Sequence, residues 1–506
     1  MNQDENVAYG ESWRDPSLFC HDLPTEPRPD SGPILVTGAT GYIGGRLVPE
    51  LLARGYRVRV MVRQEHPVHR QLWPGAEIVV ADALAIESLE AALDGVFVAY
   101  YLIHSMLLGR EEFVQADRQA ASNFQRVAEE KGVDRIIYLG GLGDIRGPLS
   151  HHLRSRIEVA RELGRGSVPV TILRAAIIIG SGSASYEILK GLVSKFPIIP
   201  VPPFGRTKCQ PIAVRDVIKY LVGVLETPET KGKTFDIGGK DILTYEEMEK
   251  IMAKVLRKKR FFLPDYFGNL NIYSYLASLL TPVPAPITRC LMEGIRNEVI
   301  CLDYSIKLYI PLKAISFRTA IIRALSREEQ DRVRTRWSDA YPPAHELTMK
   351  LHELEEGPNY SARYSLDTEK DISKLFRSIC RIGGKEGWFH QNWMWRLRGT
   401  MDRVLWGVGS ARGRRQSEGL EENDVIDFWR VENLQRGRRL LLRSELRMPG
   451  KAWLEFTIEP AGQLHRLSIT AHYYTKRVLG KFYWYIFLPF HNNIFKGLLK
   501  QIEERS

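Results

Sequence analysis

The sequence contains few cysteines, and they form no pattern that a metal ion or a disulfide framework would need. Five occur among 506 residues. They are widely separated: Cys20, Cys209, Cys290, Cys301 and Cys380. An odd number of isolated cysteines is typical of a protein from a reducing compartment. We therefore expect no metal centre.

Long hydrophobic runs are absent as well. Residues 1–19 are acidic and lack the apolar stretch of a secretory signal. Residues 273–286 are apolar, but prolines interrupt them and they are too few to span a bilayer. We expect a cytoplasmic protein without a transmembrane segment. Residues 1–32, which are rich in Pro, Asp and Glu, are predicted to form a disordered tail.

Acidic residues are outnumbered by basic ones, which gives a formal net charge of +11. Such a charge is compatible with nucleic acid, a membrane surface or an anionic ligand as the partner. The arginines are spread along the chain, which favours a solvated surface and a site for an anionic cofactor. We expect no nucleic-acid partner. The chain also exceeds the usual size of one domain, so two or three domains are expected.

One stretch, residues 34–63, has the pattern strand, turn, helix, strand. Its turn, residues 37–44, carries glycines in a G-x-x-G-x-x-G spacing. Glycine is needed where a chain turns sharply and where backbone must approach a pyrophosphate closely. The helix that follows offers unpaired N–H groups and the positive end of its dipole to a diphosphate. The predicted dinucleotide site comprises Gly38, Thr40, Gly41, Tyr42, Ile43 and Gly44.

From residue 34 to about residue 180, short β-rich runs alternate with helical spacings. This alternation predicts a parallel sheet with helices on both faces. Strands are predicted at 77–80, 97–103, 135–139 and 170–173, and helices at 86–93, 111–131 and 153–163. With a smaller substrate-covering region at 181–260, the predicted first domain spans 33–260, and a helical connector is predicted at 261–335.

Residues 336–506 are predicted to form a second domain with its own aromatic core, because seven of the ten tryptophans lie after residue 380. Leucines between residues 440 and 448 alternate with Arg443, Glu445 and Arg447, as in an antiparallel sheet with one face in water. Strands are predicted at 425–432, 440–448, 452–458 and 464–474. The last apolar segment, 479–502, predicts a helix broken at Pro489.

Within that last segment, residues 481–487 combine aromatic side chains with a lysine. This combination is typical of a helix that lies at a membrane surface. Packing against the sheet explains the same residues, because their spacing leaves no clean polar face, and we favour packing. Peripheral contact with a membrane stays open.

Several segments of the first domain carry a resemblance to a known family: residues 37–44, Asp82, residues 100–106, 173–176 and 210–217. Together they resemble the atypical short-chain dehydrogenase/reductases of the NmrA-like kind. The resemblance implies an α/β first domain, a Rossmann doubly wound parallel sheet that binds NAD(P).

Segments of the second domain carry a further resemblance: residues 387–388, 395–399, 412–415, 427–431 and 449–454. They resemble the uncharacterised domain that follows such reductases in some bacterial proteins. That domain is similar to START-like ligand carriers of the polyketide-cyclase type. The resemblance implies an α+β helix-grip (START-like) antiparallel domain.

The resemblance also implies which residues hold the cofactor. At the end of the second strand an acid binds the ribose 2'-hydroxyl of NAD, whereas an arginine accommodates the 2'-phosphate of NADP. Here the strand ends at Arg63 with no acid before Glu65, which favours NADP, although NAD and a merely solvated Arg63 remain alternatives. Asp82 and Ala83 match the adenine-contacting position, and a helix cap explains Asp82 equally well. His104 belongs to the matched run after the fourth strand.

By register with the family's Tyr-x-x-x-Lys pair, the catalytic positions are held by His152 and Arg156. In such reductases the tyrosine supplies a proton while the lysine lowers its pKa and orients the ribose. Histidine can donate a proton near neutral pH, and arginine can hold a ribose or a phosphate. The alternative is that His152 belongs to a surface turn. Residues 140–143, Gly-Gly-Leu-Gly, stand where an assisting hydroxyl is usual.

The resemblance therefore implies an NAD(P)H-dependent oxidoreductase that acts on an unidentified hydrophobic or aromatic small molecule, with the second domain holding the ligand. The alternative is a non-catalytic NAD(P)-binding sensor or scaffold, as NmrA-like proteins can be. The missing Tyr, Lys and Ser favour this alternative.

Overall fold

The computed structural model describes residues 18–65, 67–104, 112–143, 149–265, 268–281, 283, 285–329, 351, 354, 357–384, 386–405, 407–409, 420–422 and 424–506. The chain divides into two compact units. The first combines the residues up to 277 with 286–340, and the second combines 278–285 with 341–506. Residues 1–17 of the predicted tail, the predicted domain start at 336 and the matched residues 105–106 and 412–415 lie outside the described residues.

The strands of the first unit are β1 (Ile34–Val36), β2 (Val58–Val62), β3 (Glu77–Val80), β4 (Val98–Tyr101), β5 (Arg135–Gly141), β6 (Val170–Ala175), β7 (Ile178–Ile179), β8 (Ile198–Val201), β9 (Lys208–Cys209), β10 (Ile212–Ala213), β11 (Thr234–Ile237), β12 (Leu243–Thr244) and β13 (Phe261–Pro264). Seven of them form one parallel sheet in the order β11, β6, β5, β4, β1, β2, β3. The order reverses between β1 and β4, as in a doubly wound α/β sheet. The predicted parallel sheet is confirmed.

The helices up to residue 329 are α1 (Gly44–Ala53), α2 (Pro67–Leu72), α3 (Ile86–Leu93), α4 (Glu112–Glu130), α5 (His151–Leu163), α6 (Ala184–Lys195), α7 (Val214–Glu226), α8 (Tyr245–Val255), α9 (Leu270–Leu280), α10 (Ala285–Gly294), α11 (Ile306–Tyr309) and α12 (Phe317–Glu329). Successive residues of β1 point to opposite faces of the sheet. Ile34 joins a core cluster with Leu47 of α1, and Leu35 joins another with Phe124 of α4. Helices therefore cover both faces.

A third core cluster lies in the smaller region of the first unit. It contains Tyr186 of α6, Met252 of α8 and Ile321 of α12. Short strand pairs, β7 with β10, β8 with β13 and β9 with β12, frame this region. Because α12 contributes to this core, residues 317–325 of the predicted connector are an integral part of the first unit.

Residues 18–32 do not form a disordered tail. Phe19, Cys20 and Leu23 are buried. The carboxylate of Glu50 on α1 accepts the backbone N–H groups of Phe19 at 2.6 Å and Cys20 at 3.1 Å. The tail prediction is wrong for this segment because its few apolar residues find a partner surface beside α1, which composition alone does not reveal.

The second unit contains one antiparallel sheet in the order β14, β19, β18, β17, β16, β15. Its elements are β14 (Tyr360–Thr368), α13 (Ile372–Ile379), α14 (Asn392–Val404), β15 (Val425–Ile426), β16 (Trp429–Gln435), β17 (Arg439–Ser444), β18 (Lys451–Ala461), β19 (Leu464–Tyr474) and α15 (Val478–Glu504). Trp484 and Leu498 of α15 share a core cluster with Phe456 and Ile469 of the sheet. The antiparallel sheet is confirmed, whereas the START-like helix-grip class stays a prediction.

The C-terminal helix is not broken at Pro489. α15 continues through this proline for its full length. A proline inside a helix removes one backbone hydrogen bond. Core side chains on both sides of it, Trp484 before and Phe495 after, hold the two halves on the same sheet. Packing therefore overrides the local signal that predicted a break.

The predicted wet face of the second sheet is covered only in part, because Arg447 is exposed whereas two other charged residues of the same run are buried. Arg443 is 7% exposed and Glu445 is 2% exposed. Buried Arg430 pairs with Glu445, with 2.6 Å between Nε and Oε1. Pairing between opposite charges replaces hydration here. An alternation of leucines and charged residues shows that two faces differ, but it does not show that the polar face meets water.

Candidate functional site

The carboxyl ends of β1 and β4 meet where the strand order of the first sheet reverses. Thr37 joins them, because its N–H and its hydroxyl donate to the carbonyl oxygen of Tyr100 at 3.1 and 3.0 Å. The Oγ1 of Thr37 also accepts the N–H of Leu102 at 2.9 Å. In open α/β sheets a ligand crevice forms at such a reversal. The glycine-rich turn that follows Thr37 lies at this point.

Two glycines of the turn are required by close backbone contacts. Gly38 has a φ of +61°, and a Cβ there would lie 2.5 Å from the carbonyl oxygen of Leu102. A Cβ on Gly44 would overlap the carbonyl oxygen of Gly38. Gly41 is half-buried and donates its N–H to the Gly38 carbonyl at 2.9 Å. The turn is therefore tight enough to bring backbone N–H groups against a ligand.

The helix α1 starts directly after this turn. Its N-cap residue is Ile43, which has no side-chain hydrogen-bond acceptor. The N–H groups of Gly45 and Arg46 donate to the carbonyl oxygens of Gly41 and Ile43, both at 3.0 Å. The positive end of the helix dipole lies at the turn, where it favours an anionic ligand. Of the other predicted residues in the turn, Thr40 is exposed and Tyr42 is half-buried.

Arg46, which sequence reasoning missed, fixes the turn to a neighbouring segment. Its buried guanidinium donates to the carbonyl oxygens of Tyr42 at 3.1 Å and Ser181 at 2.9 Å. It also lies 4.1 Å from the centre of the Tyr42 ring. An arginine four residues after a tyrosine, on the first turn of a helix, was the available signal. Arg46 therefore fixes the conformation of the glycine turn.

The end of β2 carries the predicted cofactor-selecting residue. Arg63 follows the strand and is exposed. The next acid, Glu65, pairs with Arg70, with 2.8 Å between Oε1 and Nη2. Both of these side chains are more than a third exposed, so the pair is weak. The strand end itself presents an arginine and not an acid.

Asp82 and Ala83 follow β3, as predicted. The Oδ1 of Asp82 accepts the N–H of Leu84 at 3.0 Å, and the backbone N–H of Asp82 donates to Ser88 Oγ at 2.9 Å. These bonds turn the chain toward α3, but the N-cap residue of α3 is Ala85 and no side chain caps this helix, so the cap interpretation of Asp82 is wrong. The carbonyl of buried Ala83 accepts a bond from Asn123 at 3.0 Å. An adenine contact by Asp82 remains a prediction.

His104, after β4, belongs to a buried polar group. Its Nδ1 lies 2.9 Å from Oδ2 of Asp117, and the same oxygen accepts the hydroxyl of Ser155 at 3.2 Å. A carboxylate only accepts hydrogen bonds, so the Nδ1 of His104 carries a proton. Burial and the charge of Arg156 lower the pKa of His104, and the effect of Asp117 in the opposite direction is smaller. The ring is therefore neutral at neutral pH.

His152, a predicted catalytic residue, lies beside His104. The centres of the two rings are 5.1 Å apart. The Nδ1 of half-buried His152 is buried and has no hydrogen-bond partner among the described residues. Burial, followed by the electrostatic effect of the neighbouring His104 and Arg156 side chains, lowers the pKa of His152 well below its usual value. At neutral pH His152 thus offers a neutral imidazole and not a cationic acid.

Arg156, the second predicted catalytic residue, lies one helical turn after His152 on the same side of α5. Its guanidinium is 5.9 Å from the centre of the Tyr138 ring, and its carbonyl accepts the Tyr138 hydroxyl at 3.1 Å. A Cβ on Gly141 would lie 3.0 Å from Leu153 and 3.6 Å from Arg156. Gly141, which belongs to the run 140–143 where a hydroxyl is usual, therefore lets α5 approach the end of β5.

Asp117 and Ser155 were not part of the predicted site. Asp117 is on α4 and Ser155 is on α5, and both are buried. Asp117 is one of four acids in the long polar helix α4, so its sequence neighbours give no signal that it belongs to a site. Their proximity to His104 depends on how the two helices pack against the sheet.

Comparison with known proteins divides the chain at similar places. Residues 30–271 match the NmrA-like family, and residues 355–498 match a family described as a protein of unknown function, DUF2867. The mitochondrial NADH dehydrogenase (ubiquinone) 1 alpha subcomplex subunit 9 of Arabidopsis thaliana is 30% identical over 236 residues, which are 44% of this chain and 58% of that protein. The chain thus spans less than two thirds of the length of that subunit.

Two further relatives are reductases. The ceramide reductase of Caulobacter vibrioides is 28% identical over 234 residues, which are 45% of this chain and 72% of that protein. The structure of the Citrobacter sp. triphenylmethane reductase complexed with NADP(H) is 20% identical, covers 57% of this chain and 99% of its own, and has a TM-score of 0.47. The family match includes the whole glycine turn and the strands β1 to β13 around it. Residues 30–271 are therefore similar to the NmrA-like family, and their parallel sheet is of the Rossmann type.

Proposed function

We propose that the first unit is an NAD(P)H-dependent oxidoreductase that reduces a hydrophobic or aromatic small molecule. The observation that carries this proposal is the pair of neutral histidines, His104 and His152, at the same sheet edge as the glycine turn. His104 follows β4, and His152 opens the helix after β5. The turn suits the diphosphate of the cofactor. The name of one relative, a ceramide reductase, supports reduction of a hydrophobic substrate.

NADP(H) is the cofactor that this site favours over NAD(H). Arg63 stands at the end of β2, and the nearest acid, Glu65, is engaged by Arg70. An arginine can donate two parallel hydrogen bonds to the 2'-phosphate, whereas a carboxylate would repel this phosphate. The bound nicotinamide would supply the hydride of the reaction.

His152 acts in this proposal as a neutral hydrogen-bond donor. When hydride reaches one atom of the substrate, a neighbouring substrate atom gains negative charge. An N–H aimed at that neighbouring atom stabilises the charge without prior reorganisation, and solvent then supplies the proton that completes the reduction. The low pKa of His152 keeps the ring neutral over the physiological range. Arg156, one turn away, is the candidate to hold a ribose or phosphate oxygen.

The second unit is proposed to hold a ligand in a START-like manner. Its sheet and its long C-terminal helix enclose an aromatic core in which Trp388 and Trp395 stack with 4.2 Å between ring centres. The indole nitrogens of Trp395 and Trp429 and the Nδ1 of His491 are buried with no hydrogen-bond partner among the described residues. A buried polar group lowers the stability of the folded protein unless it forms a hydrogen bond. A ligand with hydrogen-bond acceptors would do so.

A second candidate function is a nucleotide-binding sensor that does not turn the cofactor over. The observation that favours it is the glycine at position 141, where α5 packs too closely for a hydroxyl-bearing side chain to be accommodated without movement. If the first unit is a reductase, it works without the usual serine, tyrosine and lysine, and their absence favours the sensor.

The cytoplasmic location of the protein also stays a prediction.

The test is a titration of the protein with NADPH and NADH, followed by nicotinamide fluorescence, with quinones and enones as oxidants. We expect tighter binding of NADPH than of NADH and oxidation of NADPH by a subset of the panel. His152→Ala should lower the rate by about 10²-fold or more, the usual contribution of such a group. His151→Ala is the matched control, because His151 is the exposed neighbour. Equal rates in the two variants would remove His152 from the mechanism, and binding without turnover would favour the sensor.

A further inference from the structure

The second unit exposes many large apolar side chains on two neighbouring helices. They are between 47% and 69% exposed. Scattered single residues of this kind are normal on protein surfaces, whereas a contiguous set marks an interaction site. The set, called the apolar face below, consists of Trp393, Leu397, Met401, Val404, Leu405, Val478, Leu479, Phe482, Tyr485, Ile486 and Phe490.

The spacing of these residues places them in two stripes, one along one side of α14 and the other along one side of α15. On α14 the exposed residues recur every three or four positions from Trp393 to Val404, and on α15 they do so from Val478 to Phe490. Residues at this spacing share one side of a helix. Trp484, on the other side of α15, is buried in the core. Packing against the sheet therefore explains Trp484 but not Phe482 or Ile486, which corrects our interpretation of residues 481–487.

The two stripes adjoin one another. Arg398 of α14 donates from Nε to the hydroxyl of Tyr483 on α15 at 3.2 Å, and its guanidinium lies 5.7 Å from the centre of that ring. On a helix of 3.6 residues per turn, Arg398 lies beside Met401 and Leu405, and Tyr483 lies beside Leu479 and Ile486. The contact between the helices therefore runs along the edge of both stripes.

On the stretches of α14 and α15 that carry the apolar face, the exposed charges are of one sign. Between residues 391 and 405 the one acidic residue is Asp402, which is buried, and residues 476–502 contain no acid at all. Exposed basic residues border both stripes: Arg396, Lys476, Arg477 and Lys481. A second copy of the chain, docked face to face about a twofold axis, would bring these like charges together. An anionic surface would instead neutralise them.

We propose that the apolar face is a docking surface for an anionic lipid bilayer. Aromatic and aliphatic side chains would enter the interface between headgroups and acyl chains, while the lysines and arginines contact anionic headgroups. The helix would lie along the bilayer and not cross it, and among the described residues no helix has the length and apolarity to cross. The proposal does not depend on the activity of the first unit.

The test is flotation of the full chain with vesicles of phosphatidylcholine, with and without phosphatidylglycerol. We expect binding to the anionic vesicles, weaker binding as salt increases, and little binding to phosphatidylcholine alone. The double variant F482E/I486E should bind at least about tenfold more weakly, because burial of two such side chains is worth more than about 1.4 kcal/mol. Both side chains are exposed, so the thermal unfolding temperature should not fall.

Leu308→Glu is the matched control, because Leu308 is an 85% exposed leucine outside the apolar face. This variant should bind vesicles like the unchanged protein. Failure of the unchanged protein to float with anionic vesicles would overturn the proposal. The proposal would also be overturned if F482E/I486E bound anionic vesicles as tightly as the unchanged protein does. A dimer in light scattering that the double variant dissociates, without vesicle binding, would assign the apolar face to a second copy and overturn it as well.

Discussion

Gly38, Gly41 and Gly44 belong to one turn, yet each has a different role. Position 38 requires glycine because its φ is left-handed and its backbone lies close to Leu102. Position 44 requires glycine because its backbone lies against that of Gly38. Side chains at these two positions would disturb the fold. The N–H of Gly41 donates to the carbonyl oxygen of Gly38, and Gly41 lies midway along the turn. It is the position at which a side chain should affect the cofactor more than the fold.

Gly41→Val should therefore weaken NADPH binding by more than about tenfold, or roughly 1.4 kcal/mol, because a branched side chain keeps the diphosphate from the backbone. Its unfolding temperature should stay close to that of the unchanged protein. Calorimetric titration and thermal unfolding measure the two quantities. Gly132→Asn serves as control, since a Cβ at Gly132 meets no atom within 4 Å and asparagine tolerates its φ of +67°. Unchanged affinity in Gly41→Val would mean that the turn does not hold the cofactor.

At the scale of elements, the segment 18–25 is held against two helices by buried charge. Arg54 at the end of α1 pairs with Glu226 of α7, with 2.5 Å between Nε and Oε1, and both side chains are almost fully buried. Arg54 also donates to the carbonyls of Cys20 at 3.0 Å and Thr25 at 2.7 Å, and the Thr25 hydroxyl bonds to Glu226. One ion pair thus ties a segment of low predicted order to the core of the first unit.

Glu226→Gln should destabilise the first unit by about 3–5 kcal/mol, because it leaves the buried charge of Arg54 without its counter-charge. Urea unfolding measures the change. Asp134→Asn is the control, because its pair with Lys231 is more than a third exposed and should contribute less than about 1 kcal/mol. Limited proteolysis should also cut Glu226→Gln earlier within residues 18–25. Equal stability of the two variants would contradict this role of the pair.

At the scale of the whole molecule, the two units have separate cores. Among the residues that the structure describes, the clusters of the first unit contain no residue of the second, and the cluster built on α15 contains no residue of the first. Units with their own cores can unfold independently. A ligand that binds one of them stabilises that one alone.

Calorimetry of the full chain should therefore show two unfolding transitions, of which NADPH raises one. At about 100 times its dissociation constant NADPH adds about 2.7 kcal/mol to the unit that binds it. For a unit of this size that corresponds to a rise of several degrees. The transition of the second unit should not move. A single transition that shifts as a whole with NADPH would show that the two cores unfold together.

The sequence by itself determined the elements whose signals are local. The strand at 77–80 and the helix at 86–93 have the predicted bounds, because their apolar spacing and flanking turns lie within a few residues. The glycine turn and its place between a strand and a helix were equally local. The position of the turn at the reversal of the strand order was not part of that prediction, because it depends on which strands pair in the sheet.

Only the tertiary structure decided which polar residues are buried and which distant residues meet. Glu445 and Phe19 are buried by segments remote in sequence, so composition and alternation assigned both of them wrongly to water or to a mobile tail. Asp117 reaches His104 because two helices pack on one sheet. Phe482 stays exposed although its neighbour Trp484 is core. Burial depends on what covers a residue, and the sequence around that residue does not contain this information.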